Sequence, residues 1–354
     1  MLKSKHLSSI QIHRDFRLEG QAFSSINAFL DFVAHNFKES YPFLEQWFDD
    51  TTTLTVYTSG STGKPKEIRL SKKAMLASAE ATGVFFDLPS KTRVLHCLSS
   101  HYIAGKMMWI RALHLGWHLK LVLPDQKPLL GKDESFDFCA MVPLQVQNSF
   151  DRITQIKKLI IGGAPLSDEL ILKLSRLPIS VFQTYGMTEA VTHIAVRKLE
   201  QGKDNPYMAL PNVFLSKDSR NCLVIEAQKI SSQKIITNDV INLLTPYSFY
   251  WLGRFDHIIN SGGVKLFPER IEQKIAPFIK DPFIISSRPD THLGERLLLL
   301  VESKIAYKDI HTIWQQAKLT KFEIPKEVHY FTQFIYTGSG KINRVLTTNL
   351  LTKK

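Results

Sequence analysis

Residues 57–66 (YTSGSTGKPK) place glycines, hydroxyl side chains and lysines next to one another. Glycines let the backbone approach a ligand closely, and successive N–H groups and hydroxyls can surround the oxygens of a phosphate. A Walker phosphate loop needs four residues between its glycines and a Lys followed by Ser or Thr, and neither feature is present here. The composition therefore favours a phosphate-binding loop of another kind, with a plain surface hairpin as the alternative.

A second group of reactive side chains lies in residues 183–189 (QTYGMTE), directly after a strand-like run. Ligands of open α/β sheets gather at the carboxyl ends of the strands. There, Glu189 could hold Mg²⁺, which binds one or two carboxylates together with substrate phosphates, and Tyr185 could stack on a base. The alternative is a strand-to-helix turn whose glutamate faces the solvent.

Two further motifs lie in the last third of the chain. In residues 253–256 (GRFD), Arg254 can donate a bidentate fork, and the nearby Asp239 can accept from vicinal hydroxyls. In residues 337–344 (TGSGKINR), Lys341 follows two glycines, as on a mobile, exposed loop. Each motif also has a plain interpretation, a solvated surface loop in the first case and a flexible tail in the second.

The elements that must position these residues alternate between strands and helices. Residues 20–48 and 71–82 have helical patterns, and a third helix is predicted from Pro165, with Leu166, Leu170, Leu174 and Leu177 along one face. Strand-like runs occupy residues 54–58, 94–98, 119–123, 158–161 and 179–184. This alternation predicts a large α/β domain with β-sheets flanked by helices, over residues 1–253.

After Gly253 the pattern changes to that of a small α+β domain. A glycine-rich turn at residues 261–263 precedes a helix start at Pro268. A strand (residues 297–301), a helix (309–317) and a strand (328–331) follow. We therefore predict a second domain over residues 254–354, with the boundary at residues 253–256.

Composition limits the class of protein. The chain has 354 residues, of which 44% are hydrophobic and 22% charged, which excludes a disordered chain. Three widely spaced cysteines argue against a disulfide framework and fit a reducing cytoplasm, and no apolar run predicts membrane insertion. The net charge of +12 is compatible with nucleic acid, with small anions or with solubility alone, but its even spread along the chain disfavours nucleic acid.

Together and in this order, the four motifs resemble those of the adenylate-forming acyl-CoA synthetase family. The resemblance covers residues 54–344 and rests on YTSGSTGKPK, YGMTEA, GRFDHIINSGGVKLFPERIE and GKINR. It implies a two-step reaction. A carboxylate first attacks the α-phosphate of ATP, giving an acyl-adenylate and pyrophosphate, and the thiol of coenzyme A then displaces AMP. The expected cofactors and partners are ATP, Mg²⁺, coenzyme A and a carboxylic acid, with a homodimer left open.

The resemblance also implies roles for individual residues. It assigns the phosphates of ATP to Thr58, Ser59, Gly60, Ser61, Thr62, Gly63 and Lys66. It assigns the remainder of the ATP site to Gly163, Ala164 and Tyr185 around the adenine, to Gly186, and to Asp239 and Arg254 at the ribose. The implied catalytic residues are Thr188 at the α-phosphate, Glu189 at Mg²⁺, and Lys341 between the carboxylate and the α-phosphate. Asp256 matches the hinge on which the small domain swings between the two steps, and Gly262 and Gly263 would let the pantetheine arm of coenzyme A pass.

Residues 101–111 are similar to the acid-binding region of the family's short members, the o-succinylbenzoate–CoA ligases of menaquinone synthesis. The resemblance implies that His101 and Gly105 line the acid pocket and that Arg111 holds a carboxylate that does not react, a task for which a planar guanidinium is suited. His193 is a further candidate for substrate contact or for a structural role. The alternatives are another aryl- or acyl-CoA ligase, or a nucleotide-binding protein without catalysis.

The sequence departs from the family pattern in three places. Only about fifty residues precede the phosphate loop, so we expect a shortened N-terminal region. Asn238 replaces a glycine before Asp239, and the Gly-Glu expected near residues 221–224 is missing. These departures affect the expected outer architecture more than the expected active site.

Overall fold

A computed structural model describes residues 10–58, 66–129, 134–337 and 342–353. The predicted phosphate-loop residues Ser59, Gly60, Ser61, Thr62 and Gly63, and the predicted catalytic Lys341, lie outside the described residues.

The N-terminal part contains a short strand, two helices and a hairpin. They are β1 (Arg17–Leu18), α1 (Ile26–Asn36), α2 (Tyr41–Phe48), β2 (Thr53–Thr58) and β3 (Lys66–Ser71). The helical stretch predicted over residues 20–48 contains two helices, which the sequence pattern did not separate. Ser25 caps α1 through its side chain. Pro42 lies in the first turn of α2, where the missing N–H of proline is tolerated, although it would not be in a helix interior. The antiparallel hairpin of β2 and β3 confirms the predicted strand before the glycine-rich loop.

Six parallel strands and the helices between them form the α/β layer. The further elements are α3 (Lys72–Phe85), β4 (Arg93–His96), α4 (Ile103–Leu115), β5 (His118–Leu121), β6 (Phe136–Met141), α5 (Pro143–Asn148), β7 (Ile156–Ile161), α6 (Asp168–Leu174) and β8 (Ser180–Gly186). The parallel order is β1-β5-β4-β6-β7-β8, which confirms the α/β prediction. Pro165 does not begin α6, contrary to prediction, because the side chain of Ser167 accepts from Leu170 N and sets the start at Asp168.

The same sheet continues with six antiparallel strands, which the sequence patterns did not separate. They are β9 (His193–Lys198), β10 (Tyr207–Ala209), β11 (Phe214–Lys217), β12 (Cys222–Glu226), β13 (Ile235–Thr245) and β14 (Ser248–Arg254). They extend the sheet from β8 in the order β9-β10-β14-β13-β12-β11. The turn between β8 and β9 therefore marks the change from parallel to antiparallel pairing.

A second, five-stranded sheet forms the C-terminal part. Its elements are β15 (Ile259–Ser261), β16 (Val264–Leu266), α7 (Pro268–Ile275), β17 (Phe283–Asp290), β18 (Gly294–Glu302), α8 (Ile310–Gln316), β19 (Glu327–Phe331) and α9 (Arg344–Thr348). The predicted helix at Pro268, the strands near residues 297–301 and 328–331 and the helix near 309–317 are confirmed. The large sheet ends at Arg254, within the predicted boundary at residues 253–256, and the small sheet begins at Ile259. The division into two domains at that point stays a prediction.

Each sheet has its own apolar core. In the large sheet, alternate residues of β4 face opposite sides, with Val94 in the core beneath α1–α4 and Leu95 in the core beneath α6. A separate cluster packs the small sheet against α7 and α8. Within the described ranges, no helix has the length and apolar character needed to cross a membrane.

The close packing of α4 onto the loop after β4 yields a stability prediction. A methyl group added at Gly105 would lie 2.1 Å from the backbone oxygen of Ser99, which cannot rotate away. We expect Gly105→Ala to lower the free energy of unfolding by about 1–3 kcal/mol, the usual cost of overpacking, measured by urea denaturation. The matched control is Gly83→Ala in α3. A methyl group added there would lie 2.9 Å from the end of the Leu115 side chain, which is flexible and can move away. Equal losses in the two variants would contradict the explanation.

Candidate active site

The predicted adenine-binding residues meet at the carboxyl edge of the parallel strands. Gly163 and Ala164 follow β7, and Tyr185 and Gly186 end β8, its neighbour in the sheet. Ligands of α/β sheets gather at this edge because the connecting loops diverge there. The structure thus places these four predicted residues on two adjacent strand ends.

The turn after β8 carries Thr188 and Glu189. Residues 188–190 form one 3₁₀ turn that lies beside β3, the strand that returns from the predicted phosphate loop. Glu189 is exposed and Thr188 is half-buried. Val191, which follows, has a φ of +69°. A β-branched residue rarely adopts this conformation, and such strain is concentrated at functional sites.

A hydrogen-bonded group joins β8 to the antiparallel half of the sheet. The hydroxyl of Tyr185 donates to Asp239 Oδ2 (2.7 Å) and the indole of Trp251 donates to Asp239 Oδ1 (3.1 Å). Burial raises the pKa of Tyr185, and the neighbouring Asp239 raises it further, so the tyrosine stays protonated and donates. The two predicted ligand-binding residues, Tyr185 and Asp239, are thus bonded to each other. Sequence reasoning missed Trp251, for which no motif or spacing gave a signal.

Arg254 and Asp256 form an exposed ion pair beside this group. Arg254 pairs with Asp239 in the β13–β14 register and donates two hydrogen bonds to Asp256, of 3.0 and 3.1 Å. Burial alone would raise the pKa of Asp256, but these bonds hold it below its ordinary value. The predicted ribose contact and the predicted hinge are therefore bonded neighbours.

Arg111 lies in a buried polar cluster between α4, α3 and β9. Its side chain is 2% exposed, its Nε donates to Thr82 Oγ1 (3.1 Å), and its Nη2 lies 3.4 Å from His193 Nδ1. Burial lowers the pKa of Arg111 to about 9, and burial together with Arg111 lowers the pKa of His193. Throughout the described parts of the chain, Arg111 has no carboxylate partner. Thr82 was missed at the sequence level because nothing distinguishes it from other residues of α3.

The other predicted acid-binding residues are not joined to Arg111. His101 is exposed just before α4, and its backbone N–H donates to Ser99 Oγ (3.2 Å). Gly105 is buried against Ser99. No hydrogen bond or ion pair among the described residues links His101 to Arg111. A different histidine, His96 at the end of β4, is buried against Trp109 with neither ring nitrogen hydrogen-bonded to any described group.

The predicted coenzyme A contact is an exposed two-residue turn. Gly262 and Gly263 connect β15 to β16 with φ values of +59° and +78°. Consecutive positive φ values are typical of the tightest hairpin turns and favour glycine at both positions. The backbone of this turn is open to a passing ligand, since no atom lies within 4 Å of a methyl group built at Gly263.

Glu189 is the predicted ligand of Mg²⁺. Among the residues described, no group of three His, Cys, Asp or Glu side chains is arranged to hold a metal ion. Glu189 offers a single exposed carboxylate on the turn beside β3, the strand that follows the predicted phosphate loop in the sequence. That arrangement suits Mg²⁺, which takes one or two protein carboxylates and fills its other positions with phosphates and water.

Comparison with known proteins agrees with the fold and the motifs. The family model described as AMP-binding enzyme matches residues 20–213, more than half of the chain, which therefore belongs to the AMP-binding enzyme family. This confirms the predicted relationship to AMP-forming ligases of acyl and aryl acids.

Three relatives illustrate the range within the family. A solved structure of an acyl-CoA synthetase (AMP-forming)/AMP-acid ligase II-like protein from Dyadobacter fermentans is 35% identical, with a TM-score of 0.59; the match covers 89% of this chain and 94% of that one. A 3,4-dihydroxybenzoate–[aryl-carrier protein] ligase from Bacillus anthracis is 23% identical over 98% of this chain and 86% of its own length. A 2-succinylbenzoate–CoA ligase from Lactococcus lactis is 24% identical over 84% of this chain and 70% of its own length.

The two buried histidines predict how stability changes with pH. Burial lowers the pKa of His96 to about 3. Burial, together with the charge of Arg111, also lowers the pKa of His193. Below about pH 6.5 these two histidines bind protons in the unfolded chain but stay neutral in the folded protein. These two groups therefore do not change the free energy of unfolding above that pH. Below it, each lowers the free energy of unfolding by up to about 1.4 kcal/mol per pH unit as the pH falls.

Urea denaturation between pH 7.5 and pH 4.5 measures this dependence. His96→Phe and His193→Gln should each flatten it, whereas the exposed control His101→Gln should leave it unchanged. An unaltered slope in both buried variants would refute the assignment.

Proposed function

We propose that this protein is an ATP-dependent acid–CoA ligase that acts through an acyl-adenylate, with o-succinylbenzoate as its acid, in menaquinone synthesis. Membership of the AMP-binding enzyme family and the four ordered motifs support the reaction class. The buried, unpaired Arg111 supports a dicarboxylic substrate and is the observation that carries the choice of acid.

In the proposed first step, an oxygen of the acid attacks the α-phosphorus of ATP, and the bond to pyrophosphate breaks. Charge accumulates on the phosphate oxygens, where prepositioned cations and N–H donors stabilise it. We assign this task to the loop at residues 58–66, to Thr188 and to Lys341, with Glu189 holding Mg²⁺. In the second step the sulfur of coenzyme A attacks the acyl carbon, AMP leaves, and the thiol proton passes to solvent.

Asp239 is suited to hold the ribose. Each of its carboxylate oxygens accepts one hydrogen bond, from Tyr185 and from Trp251, and an ionised carboxylate has about four acceptor positions. Two positions therefore stay open to vicinal hydroxyls. The two donors fix the orientation of the carboxylate, so the ribose would meet a prepositioned acceptor.

Arg111 is suited to recognise a second carboxylate. A buried cation is stable only when it is paired and hydrogen-bonded. Lys72, also buried, meets this condition, since its Nζ donates to Asp49 Oδ1 at 2.7 Å. The described partners of Arg111 (Thr82, Met108 and His193) are all neutral, so an arriving carboxylate would supply a compensating negative charge.

A coupled pyrophosphate assay tests the proposal directly. With ATP and Mg²⁺, we expect pyrophosphate release with o-succinylbenzoate above that with benzoate or fatty acids, and thioester formation once coenzyme A is added. Release with a different acid would make the protein another acyl- or aryl-CoA ligase. Thioester formation on a carrier protein and not on coenzyme A would change the acceptor. No release with any acid would favour a nucleotide-binding protein without catalysis.

Variants of Arg111 test the choice of acid. Arg111→Lys and Arg111→Ala should lower kcat/KM for o-succinylbenzoate by about 100-fold, a loss comparable to that of a buried charge-assisted contact. Turnover of a monocarboxylic analogue should fall far less. The ratio of the two losses cancels any reduction in the amount of folded protein. An unchanged ratio would leave Arg111 with the structural task of joining α3, α4 and β9.

A further inference from the structure

We propose that Glu269 and Glu272 of α7 couple the hinge segment (residues 253–257) to residues 342–344, which directly follow Lys341 in the sequence, so that the two move as one unit. The inference rests on the proposed function, since it takes Lys341 as the group that acts in adenylation and Asp256 as the hinge. The residues lie three positions apart and therefore on one face of the helix.

Glu269 binds the hinge side. Its Oε1 lies 2.5 Å from His257 Nδ1, one residue after Asp256. Its Oε2 is buried with no hydrogen-bond partner among the described residues, and a methyl group built at Gly253 would lie 2.7 Å from that oxygen. The φ of Gly253 is +155°, a region that only glycine adopts readily. The α7 carboxylate thus contacts the chain on both sides of the expected hinge.

Glu272 binds the other end of the small domain. It pairs with Arg344, the first residue of α9, and its Oε1 accepts from Ile285 N (2.6 Å). Arg344 also donates to the backbone oxygen of Ile285 (3.1 Å). The ion pair therefore ties α9 to both α7 and β17.

Described residues on both sides of positions 338–341 are anchored to each other. Tyr336 and Ile342 pair as an antiparallel bridge, and Asn343 N donates to the backbone oxygen of Ile335 (2.7 Å). Arg344 follows at once and is held by Glu272. A shift of α7 relative to the hinge would consequently move residues 342–344, which directly follow Lys341 in the sequence. Arg344, Glu272 and Glu269 are positioning residues in this scheme.

Measuring the two half-reactions separately distinguishes a positioning role of Glu272 from a general loss of folded protein. We expect Glu272→Gln to lower the maximal rate of ATP–pyrophosphate exchange by at least about tenfold, since a misplacement on the order of 1 Å can cost about 100-fold. The KM for ATP and thioester formation from supplied acyl-adenylate should change less than about twofold. Glu272→Asp, which keeps the charge, should recover part of the exchange rate.

The matched control is Glu323→Gln. Glu323 pairs with Lys274 of the same helix, at 2.6 and 2.7 Å, and its side chain is 16% exposed against 17% for Glu272. Its hydrogen bonds and ion pair are with Lys274 and Thr320, not with the hinge or with residues 342–344. Both half-reactions of this variant should stay within about twofold of wild type. Equal losses in Glu272→Gln and Glu323→Gln, or equal losses in both half-reactions of Glu272→Gln, would overturn the coupling.

A second measurement does not depend on activity. In the unliganded protein, Glu269→Gln should raise amide hydrogen exchange both at residues 253–257 and at residues 342–348, although Glu269 forms no hydrogen bond to the latter. An increase confined to the hinge would refute the coupling. Wild type and Lys341→Ala are compared first. If wild type shows no ATP–pyrophosphate exchange with any acid tested, the proposed function fails. If Lys341→Ala exchanges pyrophosphate as fast as wild type, the proposed role of Lys341 fails. In either case, the hydrogen-exchange result alone decides whether α7 couples the two segments.

Discussion

Gly186 stands where a side chain has no room, because a methyl group there would lie 2.3 Å from the backbone oxygen of Thr192. That closeness lets β8, the last parallel strand, return immediately as antiparallel β9. The reversal leaves Thr188 and Glu189 at the carboxyl edge, and it continues the sheet into the strands that supply Asp239 and Trp251. The strained φ of Val191 is the local cost, on the order of 1–3 kcal/mol, and burial of that side chain in the core offsets it.

Two buried cations illustrate how charge is handled in this fold. Lys72 sits at the start of α3 and is neutralised by Asp49 at the end of α2, so it holds the base of the β2–β3 hairpin in place. Arg111 is surrounded by a hydroxyl, a thioether and an imidazole. Keeping His193 neutral avoids a second positive charge beside it. The first arrangement is complete without a ligand, whereas the second leaves a positive potential that an anion would satisfy.

Local signals allowed much of this fold to be predicted. The β-branched run before the glycine-rich loop, the helix after it, the Gly262–Gly263 turn and four of the six parallel strands (β4, β5, β7 and β8) follow from short-range patterns, whereas β1 and β6 were missed. The break between α1 and α2 and the late start of α6 depend on individual caps and prolines. Hydrophobic periodicity alone does not detect them. Two pairs on which the proposals depend, Arg111 with His193 and Arg344 with Glu272, lie 82 and 72 residues apart. No spacing in the sequence indicates them, because they exist only once the sheets have formed.

The edges of the twelve-stranded sheet are both short. β1 has two residues and β11 has four, and the last residue of β11 is the exposed Lys217. Unpaired N–H and C=O groups along an open edge are the usual starting point for chain-to-chain aggregation, and brief or charged edge strands suppress it. A sheet of this width therefore presents little template for a neighbouring molecule, which favours recovery of the protein at the high concentrations that crystallisation requires.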